Sequence, residues 1–178
     1  MGSAATNIRM SNAELNIQKD IYSKGRALYV DGGRSLSGGT WYSDYMKVLF
    51  ICRANIGRSQ AAMELYRLRG GQADSAGTRV DAPGQSLNDH PGAATIVNVM
   101  RNEYAVDMSR NVRTQLTLDL AANYDKLIVM AEHETIPKWL LTMPTAEFWQ
   151  VDDPKQQDEI TTRDIVREIA CRIDALTV

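Results

Sequence analysis

Cys52 and Arg58 stand in the spacing Cys-x5-Arg, and Ser59 follows directly, within the stretch KVLFICRANIGRSQAAMELY at residues 47–66. A thiol can attack an electrophilic centre, and a guanidinium can clamp two oxygens of a tetrahedral oxyanion through its planar fork. The apolar run Val48-Leu49-Phe50-Ile51 leads into Cys52, and a helical pattern begins at Ser59. A loop at such a strand-to-helix junction directs several backbone N–H groups at one spot, where the helix macrodipole adds positive potential. A thiol at the centre of that spot loses its proton more readily and becomes a nucleophile. Arg53, Ala54, Asn55, Ile56 and Gly57, with Ser59, are therefore the candidate binding set around Cys52 and Arg58. The bare spacing is weak. Its context is strong, and it outweighs the plainer reading of Cys52 as a small buried hydrophobe beside a solvated Arg58.

The rest of the chain must supply elements that hold this loop. Strand-like and helical stretches alternate from Met46 onward. The pattern predicts strands over 47–51, 72–75, 126–131 and 147–151, and helices over 59–69, 91–104, 116–122, 134–141 and 162–176. Ala61, Ala62, Leu65 and Leu68 should face inward in the first helix, and Ala94, Val97, Val99 and Met100 in the second. Ile165, Val166, Ile169, Ile173 and Leu176 should do so in the last, where Cys171 is expected as a core thiol. The run KLIVMA at 126–131 is nearly unbroken in apolar character, as suits a central strand covered on both faces. Such alternation argues for an α/β fold, a three-layer α/β/α sandwich on a parallel sheet with right-handed crossovers. Ligands of such sheets bind beyond the carboxyl ends of the strands, where Cys52 falls.

Composition limits the function classes. The chain has 178 residues, 44% of them hydrophobic and 24% charged, which suits one globular domain with some additional chain. Its net charge of −2 gives no reason to expect a nucleic-acid partner. No apolar run reaches the ~20 residues needed to cross a bilayer, so no membrane partner is expected. Two Cys far apart cannot form a disulfide framework, which favours a reducing, cytoplasmic setting. His90 and His133 lie in unrelated surroundings, so neither a metal site nor another cofactor is expected. Residues 1–45, with their Ser, Gly and Asn clusters, read as an N-terminal extension, either a tag or an arm, ahead of a catalytic domain at 46–178. The first six residues fit a loose myristoylation pattern, but a vector-derived Met-Gly-Ser start explains the same letters.

The segment VLFICRANIGRSQAAMELY resembles the active-site loop of the low-molecular-weight protein tyrosine phosphatase family, which also contains arsenate reductases. The likeness continues through Ser75-Ala76-Gly77-Thr78, Asp107-Met108-Ser109, Arg113-Thr114-Gln115-Leu116, Leu127–Met130 and Val151-Asp152-Asp153-Pro154. The resemblance implies a four-stranded parallel sheet and a phosphate-binding loop. It makes Cys52 the nucleophile, Arg58 the phosphate clamp, Asn55 a brace of the loop and Ser59 a hydrogen-bond donor to the thiolate. Asp153, before Pro154, would be the general acid, with Asp152 the competing candidate. Chemistry supports these roles: the Arg fork matches phosphate as Lys cannot, and a carboxyl group against an apolar wall keeps a proton for the leaving oxygen.

Some positions depart from the family pattern. Ala54 stands where Gly is frequent, and Gly57 stands where a second Cys is frequent. Lys155-Gln156-Gln157 follow Pro154 in place of aromatic residues, which puts tyrosine specificity in question. Gln60 and Trp149 look closer to the arsenate reductase branch, yet no Cys lies between Thr78 and Pro91, where that branch keeps its resolving pair. The first expectation is thus a cysteine-dependent phosphatase of aryl phosphate monoesters or phosphotyrosine, working through a phosphocysteine on a phosphorylated protein or a small phosphate ester, as a monomer or weak dimer. The alternatives are an arsenate reductase that uses Cys52 with an external small thiol, and a catalytically weak phosphate-binding or scaffolding relative.

Overall fold

The computed structural model describes residues 46–176; the extension expected over 1–45 lies outside the described residues. Four strands, β1 (Lys47–Cys52), β2 (Gln72–Gly77), β3 (Lys126–Val129) and β4 (Ala146–Phe148), form one sheet in the order β2-β1-β3-β4. Every neighbouring pair is parallel. Among the described residues, five α-helices connect or close them: α1 (Arg58–Leu68), α2 (Ala94–Tyr104), α3 (Leu118–Ala121), α4 (Lys138–Leu141) and α5 (Glu159–Leu176).

The alternation of side chains along a strand divides the core in two. Val48 and Phe50 of β1, with Ile128 of β3, pack under α1, α2 and α5. Leu49 and Ile51, with Leu127 and Val129, face the other way, toward Leu116, Ala121 of α3 and Leu140 of α4. The four residues Val48–Ile51 are fully buried for this reason, since each face of β1 is covered. Burying one such side chain contributes about 1.5–3 kcal/mol. The three-layer arrangement with a four-stranded parallel sheet is the expected one, and Cys52 ends β1 at the carboxyl edge.

Several details differ from the sequence reading. The stretch at 134–141 is not one helix: a 3-10 turn at His133–Thr135 is followed by extended Ile136 and Pro137, and only then by α4. Pro137 has no N–H to continue a helix and drives the residue before it into extended backbone. Pro91 likewise opens a separate 3-10 turn, Pro91–Ala93, before α2. Ala94 is exposed; Ala93 and Ile96 are buried instead. Leu68, expected inward, is 37% exposed at the last turn of α1. Strand β4 stops at Phe148, although Trp149 and Val151 beyond it remain buried. Cys171 is exposed rather than buried. The apolar stripe of α5 runs through Ile165, Val166, Ile169, Ala170 and Ile173, and the ~100° step past Ala170 carries Cys171 off it.

Candidate active site

Residues 53–57 connect β1 to α1, and the carbonyl groups of residues 52–55 are held by neighbouring segments. The Cys52 carbonyl accepts from Thr78 N at 2.9 Å, and that of Arg53 accepts from Arg79 N at 2.8 Å. The Ala54 carbonyl accepts from Arg113 Nε at 3.1 Å, and the Asn55 carbonyl from Gln60 Nε2 at 3.3 Å. Among the described residues no acceptor takes up the N–H groups of Arg53, Ala54, Ile56 or Gly57. A run of unpaired backbone donors ahead of a helix is a cradle for an oxyanion.

Asn55 is the turning point. Its φ of 54° lies in the left-handed region, which Asn tolerates better than most residues. Its side chain is fully buried and fully engaged: Nδ2 donates to Ser59 Oγ and Ser75 Oγ, each at 2.9 Å, and Oδ1 accepts from Thr114 N at 2.7 Å. Ser59 Oγ in turn lies 3.0 Å from Cys52 Sγ. Because Asn55 already donates to that oxygen, the Ser59 hydroxyl hydrogen is available to the sulfur. Gly77 at the end of β2 lets this loop pack closely, since a Cβ there would sit 2.8 Å from the Arg53 carbonyl oxygen and 2.9 Å from Asn55 N.

Arg58 is 4% exposed, and its donors are divided. Nη1 donates to the carbonyls of Met130 at 2.7 Å and Val151 at 3.2 Å, and Nη2 to Glu132 Oε1 at 2.6 Å. With five donors on a guanidinium, Nε–H and the second hydrogen of Nη2 are left, a pair suited to two oxygens of one phosphate. Burial works against the charge, but the nearby Cys52, Glu132 and Asp153 outweigh it and hold the Arg58 pKa above its ordinary value. Burial pushes the Glu132 carboxyl up, whereas the hydrogen bond and charge of Arg58, with Arg53 behind it, bring it below the usual range overall.

Asp153 Oδ2 lies 3.3 Å from Arg58 Nη2, and its Oδ1 accepts from Lys155 N at 3.1 Å. Asp153 and Pro154 line a cleft of about 610 Å³ whose floor is Cys52 with Arg53, Ala54, Ile56, Gly57 and Arg58; Asp152 is not on that lining. The cleft thus gathers a thiol, a fork of donors and a carboxyl group, the parts needed to transfer a phosphoryl group to sulfur and protonate what leaves.

Sequence reasoning assigned no role to Glu132, Ser75, Thr114 or Arg113. Arg113, 1% exposed, bonds Gln85 Oε1 at 2.7 Å and Asp81 besides the Ala54 carbonyl. Ser75, Arg113 and Thr114 stand in segments through which the likeness runs, but the burial that gives Arg113 its role is not visible in a sequence. Among the described residues no group of His, Cys, Asp and Glu could hold a metal ion, and no helix is long and apolar enough to cross a membrane.

The sequence model of the family described as low molecular weight phosphotyrosine protein phosphatase matches residues 47–177. Among solved structures, the low molecular weight protein tyrosine phosphatase from T. tengcongensis is 22% identical with a TM-score of 0.63, over 74% of this chain and 97% of that one. Vibrio vulnificus Wzb, solved with benzylphosphonate, is 22% identical with a TM-score of 0.61, over 74% and 97%. An arsenate reductase in its phosphate-binding state is 25% identical with a TM-score of 0.59, over 74% and 95%. With its sheet order, its loop and the match across residues 47–177 in agreement, the chain belongs to the low molecular weight phosphotyrosine protein phosphatase family, a family of enzymes.

Proposed function

We propose that the protein is a cysteine-dependent phosphatase that hydrolyses phosphate monoesters, aryl phosphates or phosphotyrosine among them, through a phosphocysteine. The observation that carries this reading is the cluster of Cys52 Sγ, 3.0 Å from Ser59 Oγ, with Arg58 and, 3.3 Å from its Nη2, Asp153 on one cleft. The loop N–H groups and Arg58 hold the phosphate oxygens. The Cys52 thiolate attacks phosphorus as the bond to the leaving oxygen breaks, and Asp153 gives that oxygen its proton. The Asp153 carboxylate then takes a proton from water, the water oxygen bonds to phosphorus, and the P–S bond breaks to return the thiolate.

Arsenate reduction with an external thiol is the competing use of the same loop, and the 25% identical arsenate reductase keeps it in view. Cys171, the other described cysteine, does not line the cleft, so an internal thiol relay has no second member there. Phosphate release from p-nitrophenyl phosphate without added thiol, measured beside thiol-coupled arsenate reduction on the same sample, tests the proposal. Turnover only in the arsenate assay would overturn it, and oxyanion binding without turnover in either would favour a binding relative.

A further inference from the structure

The mouth of the cleft carries charge that phosphoryl transfer does not use. Five cationic side chains line it. Arg58 is buried and paired with Glu132, and Arg113 is buried against Asp81. Arg53, Arg79 and Lys155 are left, all exposed, in a chain whose net charge is −2. Among the described residues none of these three has a side-chain hydrogen bond or an ion pair. They come from separate segments: Arg53 follows the candidate nucleophile, Arg79 follows β2, and Lys155 follows Asp153-Pro154. The hydrogen bond from Arg79 N to the Arg53 carbonyl, 2.8 Å, holds the first two segments side by side.

The same lining has no Phe, Tyr or Trp among the described residues; its apolar members are Ile56, Val80, Ile96 and Pro154 with Ala54. No phenyl, phenol or indole ring there walls a substrate ring; the planar groups on the lining are the His90 imidazole and the guanidinium groups, and the guanidinium groups carry charge. Recognition beyond the phosphate therefore falls chiefly to these cationic side chains.

Resting on the proposed phosphatase reading, we infer that the preferred substrates are phosphomonoesters whose leaving group carries further negative charge, bound by Arg53, Arg79 and Lys155. Acidic residues flanking a phosphorylated side chain and a carboxylate or second phosphate on a small ester share this chemistry. Exposed cations act through solvent, so their effect is modest per charge and sensitive to salt.

The test compares matched pairs on the full chain. One pair is 4-(2-carboxyethyl)phenyl phosphate and 4-ethylphenyl phosphate, whose leaving groups differ in charge far more than in acidity. The other is a phosphotyrosine peptide flanked by Asp and Glu and its Asn and Gln counterpart. At about 0.01 M salt the anionic member of a pair should show kcat/KM about fivefold higher, the scale of an exposed ion pair. That ratio should fall toward one near 1 M salt, where the screening length is about 3 Å. The double substitution Arg79→Gln and Lys155→Gln should bring the low-salt ratio toward one, whereas Arg110→Gln, away from the cleft, should leave it. Preference in the peptide pair alone assigns the charge to protein substrates, and in the small pair alone to small esters; either supports the inference. Phosphate release with a ratio at or below one, or a ratio that the double variant leaves intact, overturns it while the phosphatase reading stands. No phosphate release from any of the four overturns both.

Discussion

Gly57 and Pro154 approach so closely that a Cβ at position 57 would lie 2.8 Å from Pro154 Cγ. The loop at 53–57 and the segment carrying Asp153 are therefore fitted to each other by the lack of a side chain. Gly57→Ala should displace Pro154 and move Asp153 with it. A misplaced acid slows poor leaving groups most, because only they need the proton in the transition state. We expect kcat for phenyl phosphate to fall on the order of 10–100-fold, with a much smaller change for p-nitrophenyl phosphate. Asp153→Asn should show the same steepened dependence on leaving-group acidity, and Asp152→Asn should not. Equal losses on both substrates in Gly57→Ala would remove the link between the two segments.

Arg58→Lys and Cys52→Ser should separate stability from chemistry. Lys keeps a charge but cannot hold two phosphate oxygens while bonding the carbonyls of Met130 and Val151. Its kcat should drop roughly 10²–10³-fold, the cost of losing a transition-state donor, and stability should fall by about 1–3 kcal/mol as buried acceptors lose partners. Cys52→Ser should lose turnover while keeping the melting temperature and the binding of phosphate. Thermal melts with and without phosphate, beside steady-state rates, read both.

Asn55 should tolerate few replacements. Asn55→Gly keeps the left-handed turn and loses the bonds to Ser59, Ser75 and Thr114. A stability loss of about 2–4 kcal/mol is expected for that set of buried bonds. Asn55→Ala loses the same bonds and adds a Cβ at positive φ, so it should be less stable than Asn55→Gly by about 1 kcal/mol. Urea midpoints of the two variants decide the order.

Glu132 gives a pH signature. Its carboxyl lies below the ordinary value of 4.5 in the folded chain, so its contribution is present above that value and lost as pH falls through the lower folded value. The stability difference between the native chain and Glu132→Gln should be constant near neutrality and shrink as pH falls below about 4.5. Denaturant midpoints at pH 7 and pH 3.5 measure it. A difference that grows on acidification would reverse the sign and disconnect Glu132 from Arg58.

The β1–loop–α1 unit was readable because its strand, loop and helix are contiguous, so local pattern alone brings Cys52, Asn55, Arg58 and Ser59 together. Asp153 was reachable only through resemblance, being 95 residues from Arg58 in sequence. Glu132 escaped notice because its partner is 74 residues away and an acid after an apolar strand looks like any solvated strand end. Asn55 was expected to brace the loop, but its partners Ser75 and Thr114 come from β2 and from the segment before α3, both distant in sequence. Cys171 was misread because it neighbours Ala170, when one residue is enough to turn a helical position away from the core. Pro137 was in plain view and should have divided the helix expected around it.

The tethered carbonyls of the loop have a consequence for motion. Ordering a residue's backbone costs about 1–2 kcal/mol, and for residues 52–55 that ordering accompanies folding, through Thr78, Arg79, Arg113 and Gln60. An arriving oxyanion meets a frame already set. The loop's carbonyls are tied down, yet its N–H groups are unpaired, a combination seldom found inside a protein. Amide hydrogen exchange should therefore be fast at Arg53, Ala54, Ile56 and Gly57 in the free protein despite the tied carbonyls. It should slow sharply when phosphate binds, with little change in the strands on either side.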